Sequence, residues 1–252
     1  MNQELGLRIL SQIMAWSDER ARQEFAWLRL MARLKYDGYR DFLAGVRFIE
    51  SLITWLQQFE QAEREAAYTF VRRDLIYVGP AEMQRLVEAF YPSTVRSCLL
   101  QAVAHRHGIP KYRIASNPEA TEDLAKLRRR TLFMALSDGA RLDILRHSNV
   151  GMLGNEQFVV ATQVDADKWK DLLKNLRKEQ GENAKFAIAY LIDDFMGTGT
   201  SFLRYDAATK VWKGKLLRFR ESMLAATAEI GECPFEEQWE LCVHHYIAGF
   251  EG

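Results

Sequence analysis

Two adjacent carboxylates followed closely by glycines and hydroxyls form the stretch of this sequence best suited to chemistry. They are Asp193 and Asp194, then Gly197, Thr198, Gly199, Thr200 and Ser201. Glycines let consecutive backbone N–H groups point into one concavity, which suits a phosphate dianion. The hydroxyls of Thr198, Thr200 and Ser201 add donors. The two acids can only accept, so they cannot be the phosphate site. Placed one ribose length before it, they can accept from the 2′- and 3′-hydroxyls of a sugar, or hold a magnesium ion through water. The predicted ligand is therefore a phosphorylated ribose. The plainer alternative is a surface turn after a buried strand, with both acids merely solvated.

Other glycine loops fit less well. A Walker A loop needs Gly-Lys-Ser/Thr, and no lysine follows Gly199. A dinucleotide fingerprint needs a third glycine, which Leu203 and its neighbours do not supply. A methyltransferase loop needs more βα units than the residues after Ser201 can form.

Such a loop needs a strand to deliver it and a sheet behind it. Phe186–Ile192 is an unbroken apolar run and predicts a buried parallel strand ending at the acids. Leu132–Leu136, Phe158–Ala161 and Leu241–Ile247 predict three more strands. Helical patterns alternate with them over Arg141–Arg146, Asp165–Gln180, with Asp165 as cap and Gly181 as stop, and within Trp212–Ile230. Strands alternating with helices imply an α/β fold with a parallel sheet. Ligands bind beyond the carboxyl ends of such strands, where this loop would sit. A helix starting soon after the loop would add its dipole.

The chain before Thr131 reads as mostly α. Apolar residues recur at helical spacing from Leu7 to Met31. They resume through Phe42, Val46, Ile49, Ile53 and Leu56 towards Val71. Leu75–Val78 is either a short strand or an extended linker. Pro80 opens a helix that Pro92 is expected to end, and further helices follow over Val95–His105 and Glu119–Arg130. The predicted organisation is a helical region over 1–130 and an α/β core over 131–252.

The acid-pair loop resembles the phosphoribosyl pyrophosphate (PRPP) signature of type I phosphoribosyltransferases, in which an apolar strand, two acids and a Thr-Gly-x-Thr loop follow in that order. Thr198 and Gly199 stand in register, Thr200 takes the free position and Ser201 replaces the last threonine. The resemblance implies a phosphoribosyltransferase-like core that binds PRPP, with its Mg2+, or a nucleotide. It gives Asp193 and Asp194 the catalytic positions. It also implies that Ser137, Asp138, Gly139, Ala140 and Arg141, the loop after the first strand, receive the pyrophosphate. Arg146–Gln157 would lie where the family has a mobile catalytic loop. The following Phe202-Leu203-Arg204, Trp212–Leu216 and Asn155-Glu156-Gln157 are similar to a bacterial branch tied to conflict and retron-associated antiphage defence systems, which implies a protein partner. The base-recognising hood of the family is either supplied by the helical N-terminal half or absent, so a non-catalytic nucleotide-sensing or interaction module is the competing reading.

Composition removes several other classes. With 34 basic and 34 acidic residues in 252, the formal charge is zero, and no global field drives nucleic-acid binding. Local clusters at Arg128–Arg130 and Lys210–Arg220 leave only a patch, or a partner, for that role. Three unpaired-looking cysteines, Cys98, Cys233 and Cys242, and a polar acidic start predict a reducing, cytoplasmic setting, and no run is apolar enough to cross a membrane. Cys242, His244 and His245 lack a second ligand pair, so no metal site is assigned to protein residues. A homo-oligomer is expected.

Overall fold

A computed structural model describes residues 3–38, 47–161 and 164–249. The chain forms two compact units, Met1–Met83 and Gln84–Gly252. The division falls well before residue 130, because the helices that follow it are part of the sheet-bearing unit.

The first unit is helical. The single helical pattern from Leu7 to Met31 is two helices, α1 (Gln3–Met14) and α2 (Asp18–Leu34). The break has a local cause: Ser17 is extended and its hydroxyl accepts from the Arg20 amide, starting a new helix. Next come α3 (Phe48–Leu56) and α4 (Arg64–Arg73). Phe42 and Val46 of the predicted helical run lie outside the described residues. Leu10, Trp16, Leu28, Leu56 and Tyr68 share the core of this unit. Trp16 donates its indole N–H to Glu65 at 3.0 Å and Tyr68 its hydroxyl to Glu24 at 2.6 Å, so both buried polar tips are satisfied. Leu75–Val78 forms neither helix nor strand.

Helix α5 (Pro80–Ala89) does not stop at Pro92. It widens into a π-helical turn, Phe90–Val95, and continues as α6 (Arg96–His107). Proline lacks the N–H and crowds the carbonyl four residues back, and a wider turn relieves both. Helix α7 (Pro118–Arg129), capped by Asn117, leads into the sheet.

The sheet unit is α/β. Four strands are mutually parallel in the order β2 (Phe158–Val160), β1 (Thr131–Ala135), β3 (Phe186–Met196) and β6 (Phe235–Ala248). Among the described residues of the whole chain there are ten α-helices. Helix α8 (Leu142–Ser148) joins β1 to β2 and α9 (Ala166–Gln180) joins β2 to β3. After β3 comes a small antiparallel hairpin, β4 (Arg204–Asp206) with β5 (Val211–Lys213), and then α10 (Lys215–Ile230). The hairpin falls where the sequence suggested loop and helix. Its strands are three residues each, below the length at which alternation is legible.

One face of the sheet is covered by α9 and α10. Trp169, Leu172, Leu173 and Leu176 recur at i, i+3, i+4 and i+7 and pack on Leu132, Met134, Ala189 and Leu191. Asp165 caps α9 as expected, accepting from the Lys168 amide at 2.8 Å. On the other face Phe90, delivered by the π turn, stacks on His244 at 3.9 Å and meets Tyr190 edge-on at 5.5 Å.

Candidate functional site

β2 lies on one side of β1 and β3 on the other, so the winding reverses between β1 and β3. The crevice beyond their carboxyl ends is the topological switch point at which open α/β sheets bind ligands. Both loops singled out in the sequence start there.

β3 runs four residues further than the apolar pattern suggested, to Met196, because β6 pairs with it to that end, His245 opposite Asp193 and Ala248 opposite Met196. Both acids therefore lie within an extended strand. Successive side chains on a strand point to opposite faces, and these two diverge.

Asp193 belongs to the α9–α10 face. It is 2% exposed, pairs with the Lys215 ammonium and accepts from the Ser137 hydroxyl. Burial is the largest influence on its carboxyl and pushes the pKa up. The Lys215 and Ser137 hydrogen bonds outweigh it and hold the group below the ordinary aspartate value. Lys215 was not among the predicted site residues. Its places in the Lys210–Arg220 basic run and in Trp212–Leu216 gave it no role beside Asp193, and 22 residues and a hairpin separate it from its partner.

Asp194 is half-buried on the other face, and no cation pairs with it among the described residues. Its carboxylate fills the space where a side chain at position 139 would stand. A Cβ on Gly139 would lie 2.2 Å from the nearer oxygen. This contact explains the glycine: any side chain there would push Asp194 aside.

The loop after β1 is thus held against the end of β3 at two points, Ser137 on Asp193 and Gly139 on Asp194. A third tie comes from β6, where Tyr246 donates to the Ala140 carbonyl at 3.2 Å. Asp138–Ala140 forms a single 3-10 turn, and Arg141 follows in the left-handed region at φ +47°. Asp138 and Arg141 are exposed. The amides of Ala140 and Arg141 close the turn. Those of Asp138 and Gly139, first in the turn, donate to no protein acceptor among the described residues.

In the loop after β3, Gly199 adopts φ +72°, which a side chain would disfavour. Phe202 and Leu203 donate back to the Gly199 carbonyl at 3.0 and 2.9 Å. The amides of Thr198, Gly199, Thr200 and Ser201 have no protein acceptor among the described residues. The Thr198 and Thr200 hydroxyls share a 3.0 Å hydrogen bond, while Gly197 and Gly199 are half-buried and Thr198, Thr200 and Ser201 exposed. An expected helix dipole is not at the loop's disposal. The hairpin intervenes, and the first amides of α10, Lys215 and Leu216, are capped by the Ser201 and Phe202 carbonyls.

Arg146–Gln157 takes a different place from the one its resemblance implied. Gln157 is 1% exposed and donates to the carbonyls of Arg128 and Thr131, each at 2.8 Å. Thr131 begins β1, so the stretch leaves the carboxyl edge along α8 and its end, at Gln157, is anchored at the amino ends of the strands. Asn149 and Leu153 are buried as well.

No family model matches the chain, and neither a curated protein nor a solved structure does. The phosphoribosyltransferase resemblance therefore rests on the motif residues of the sequence alone.

Of the remaining candidates, His244 stacks on Phe90 and His245 meets Phe202 edge-on from the opposite face. Burial lowers the pKa of both, His244 to about 4. Among the described residues no three His, Cys, Asp or Glu side chains cluster to hold a metal ion. Arg129 is consumed by Glu179 at 2.6 Å and Glu156 at 3.0 Å, and Arg130 by Glu236 at 2.7 Å. The Arg128–Arg130 run is thus no free basic patch. No described helix is long and apolar enough to cross a membrane.

Proposed function

We propose that the switch-point crevice binds a phosphorylated ribose, either PRPP or a nucleotide, in the manner of a phosphoribosyltransferase-like core. The 5-phosphate lies on the amides and hydroxyls of Gly197–Ser201. The pyrophosphate or its equivalent lies on Ser137–Arg141, with Arg141 adding charge. The observation that supports this most is two loops with unspent amides at the carboxyl ends of adjacent strands, the first held on the second strand by Gly139 against Asp194. An anion supplies the acceptors those amides lack.

The acids take unequal parts. Asp194, which abuts Gly139 of the loop after β1 and carries no ion pair among the described residues, accepts from ribose hydroxyls in this reading. Asp193, neutralised by Lys215, positions Ser137 and so the loop after β1. Magnesium is commonly held by one or two carboxylates together with ligand phosphates. Asp194 fits that minimal role, with the ligand bringing the rest of the coordination.

Two observations favour binding without turnover. Asp193 is already paired, and the segment expected to close over the substrate is anchored at the opposite edge. In that reading the module reports ligand binding to a partner protein, consistent with the resemblance to the defence-associated branch. Calorimetry with ribose 5-phosphate, and with PRPP plus Mg2+, tests the binding, with free ribose as control. The phosphorylated sugars are expected to bind and ribose to bind at least tenfold more weakly. Equal affinity for ribose and ribose 5-phosphate would remove the phosphate loop from the account. Product formation with a panel of bases distinguishes the enzyme from the module.

A further inference from the structure

Helix α10 lines a second cavity whose chemistry the loops do not use. It has a volume of about 260 Å3 and is walled by Leu136, Ala161, Lys215, Arg218, Phe219 and Ser222. That is room for roughly eight waters, or one small organic molecule. Leu136 and Ala161 follow β1 and β2, and both are buried, as is Phe219. They make an apolar floor. Lys215, Arg218 and Ser222 lie on one face of the helix, at i, i+3 and i+7, and put the polar groups on one wall.

Charge decides what such a cavity takes. The Lys215 ammonium is already neutralised by buried Asp193. Arg218 has no acidic partner and the Ser222 hydroxyl no hydrogen-bond partner among the described residues. The wall therefore carries one net positive charge, a planar fork of donors and a free hydroxyl, above hydrocarbon. A guanidinium fork matches a carboxylate with two parallel hydrogen bonds. A single net charge suits a monoanion better than a phosphate dianion, and the floor calls for an apolar body.

We infer that this cavity is a binding site for a small carboxylate with an aromatic or branched apolar body, separate from the phosphate loop. Arg218 grips the carboxylate, Ser222 donates to it, and Leu136, Ala161 and Phe219 receive the body.

Benzoate is a suitable probe, with benzyl alcohol as the neutral counterpart and inorganic phosphate as the competing anion. Titration calorimetry of the full chain is expected to show benzoate binding more tightly than either. Arg218→Gln should weaken benzoate at least tenfold and Ser222→Ala several-fold. Arg218 is exposed, so the variants should keep the wild-type circular dichroism spectrum and melting temperature. Absence of benzoate binding at millimolar concentration would overturn the inference. So would affinity unchanged by Arg218→Gln. Tighter binding of phosphate, lost in Arg218→Gln, would overturn the carboxylate class.

Discussion

Three residues carry separate expectations, two of them at the site. Lys215 neutralises a carboxylate that is almost wholly buried. Lys215→Met should therefore destabilise the protein by about 3 kcal/mol, near the low end for breaking a buried pair because Lys215 keeps some exposure. Adding Asp193→Asn should recover much of the loss, since the uncompensated charge is then gone. Denaturant titration of the single and double variants reads both effects. Gly139→Ala acts differently. Its methyl group would displace the Asp194 carboxylate, so ligand affinity should fall tenfold or more, while the melting temperature moves by only a few degrees. His244 sets a pH dependence. Burial lowers its pKa from 6.5 to about 4. Its stabilising contribution is full above pH 6.5, falls as the unfolded chain takes up a proton, and is lost by about pH 4. Stability rises with pH across this window because the unfolded chain binds the extra proton. Stability measured between pH 7 and 4 should lose much of this slope in His244→Phe, and an unchanged slope would contradict the assignment.

At the scale of elements, much of the sheet was legible because its signal is redundant. Phe186–Ile192 is apolar at every position, and such a run reads as a strand buried on both faces. The cap and stop of α9 are ordinary helix chemistry at Asp165 and Gly181. What escaped depends on distant partners. β3 reaches Met196 only because β6 runs beside it, and β6 begins as early as Phe235 although Glu236, Glu237 and Gln238 look like loop. Glu236 pairs with Arg130, and Glu237 and Gln238 are exposed where the register with β3 shifts, which permits that polarity. Pro92 stays within a helical path because a π turn can absorb it, and that turn delivers Phe90 to the sheet. Asp193 and Asp194 were legible as an acid pair but not as a divergent one, since divergence follows from the strand continuing through them. Gln157 supplies a test at this scale. Its side chain bonds two carbonyls at the amino edge, so Gln157→Ala should cost about 1–3 kcal/mol for the buried carbonyl of Thr131 left unpaired. Ligand affinity at the opposite edge should not change. A matching loss of affinity would contradict the placement of this segment away from the site.

For the molecule as a whole, the balanced charge and the ion pairs of Arg129 and Arg130 argue against a nucleic-acid surface. A labelled single-stranded oligonucleotide should give no anisotropy change with the isolated protein at 150 mM salt, a concentration at which screening already weakens contacts beyond roughly 8 Å. The two compact units divide the work of folding, each with its own core. The candidate site is confined to the second, where the strand order creates the crevice. The most direct measurement is of the backbone amides themselves. In an NMR titration with ribose 5-phosphate, the amides of Thr198–Ser201 and of Asp138 and Gly139 should shift downfield and saturate together, with Gln157 and the first unit unmoved. If those six amides stay in place while resonances elsewhere respond, or if free ribose shifts them equally, the phosphate-cradle account is contradicted.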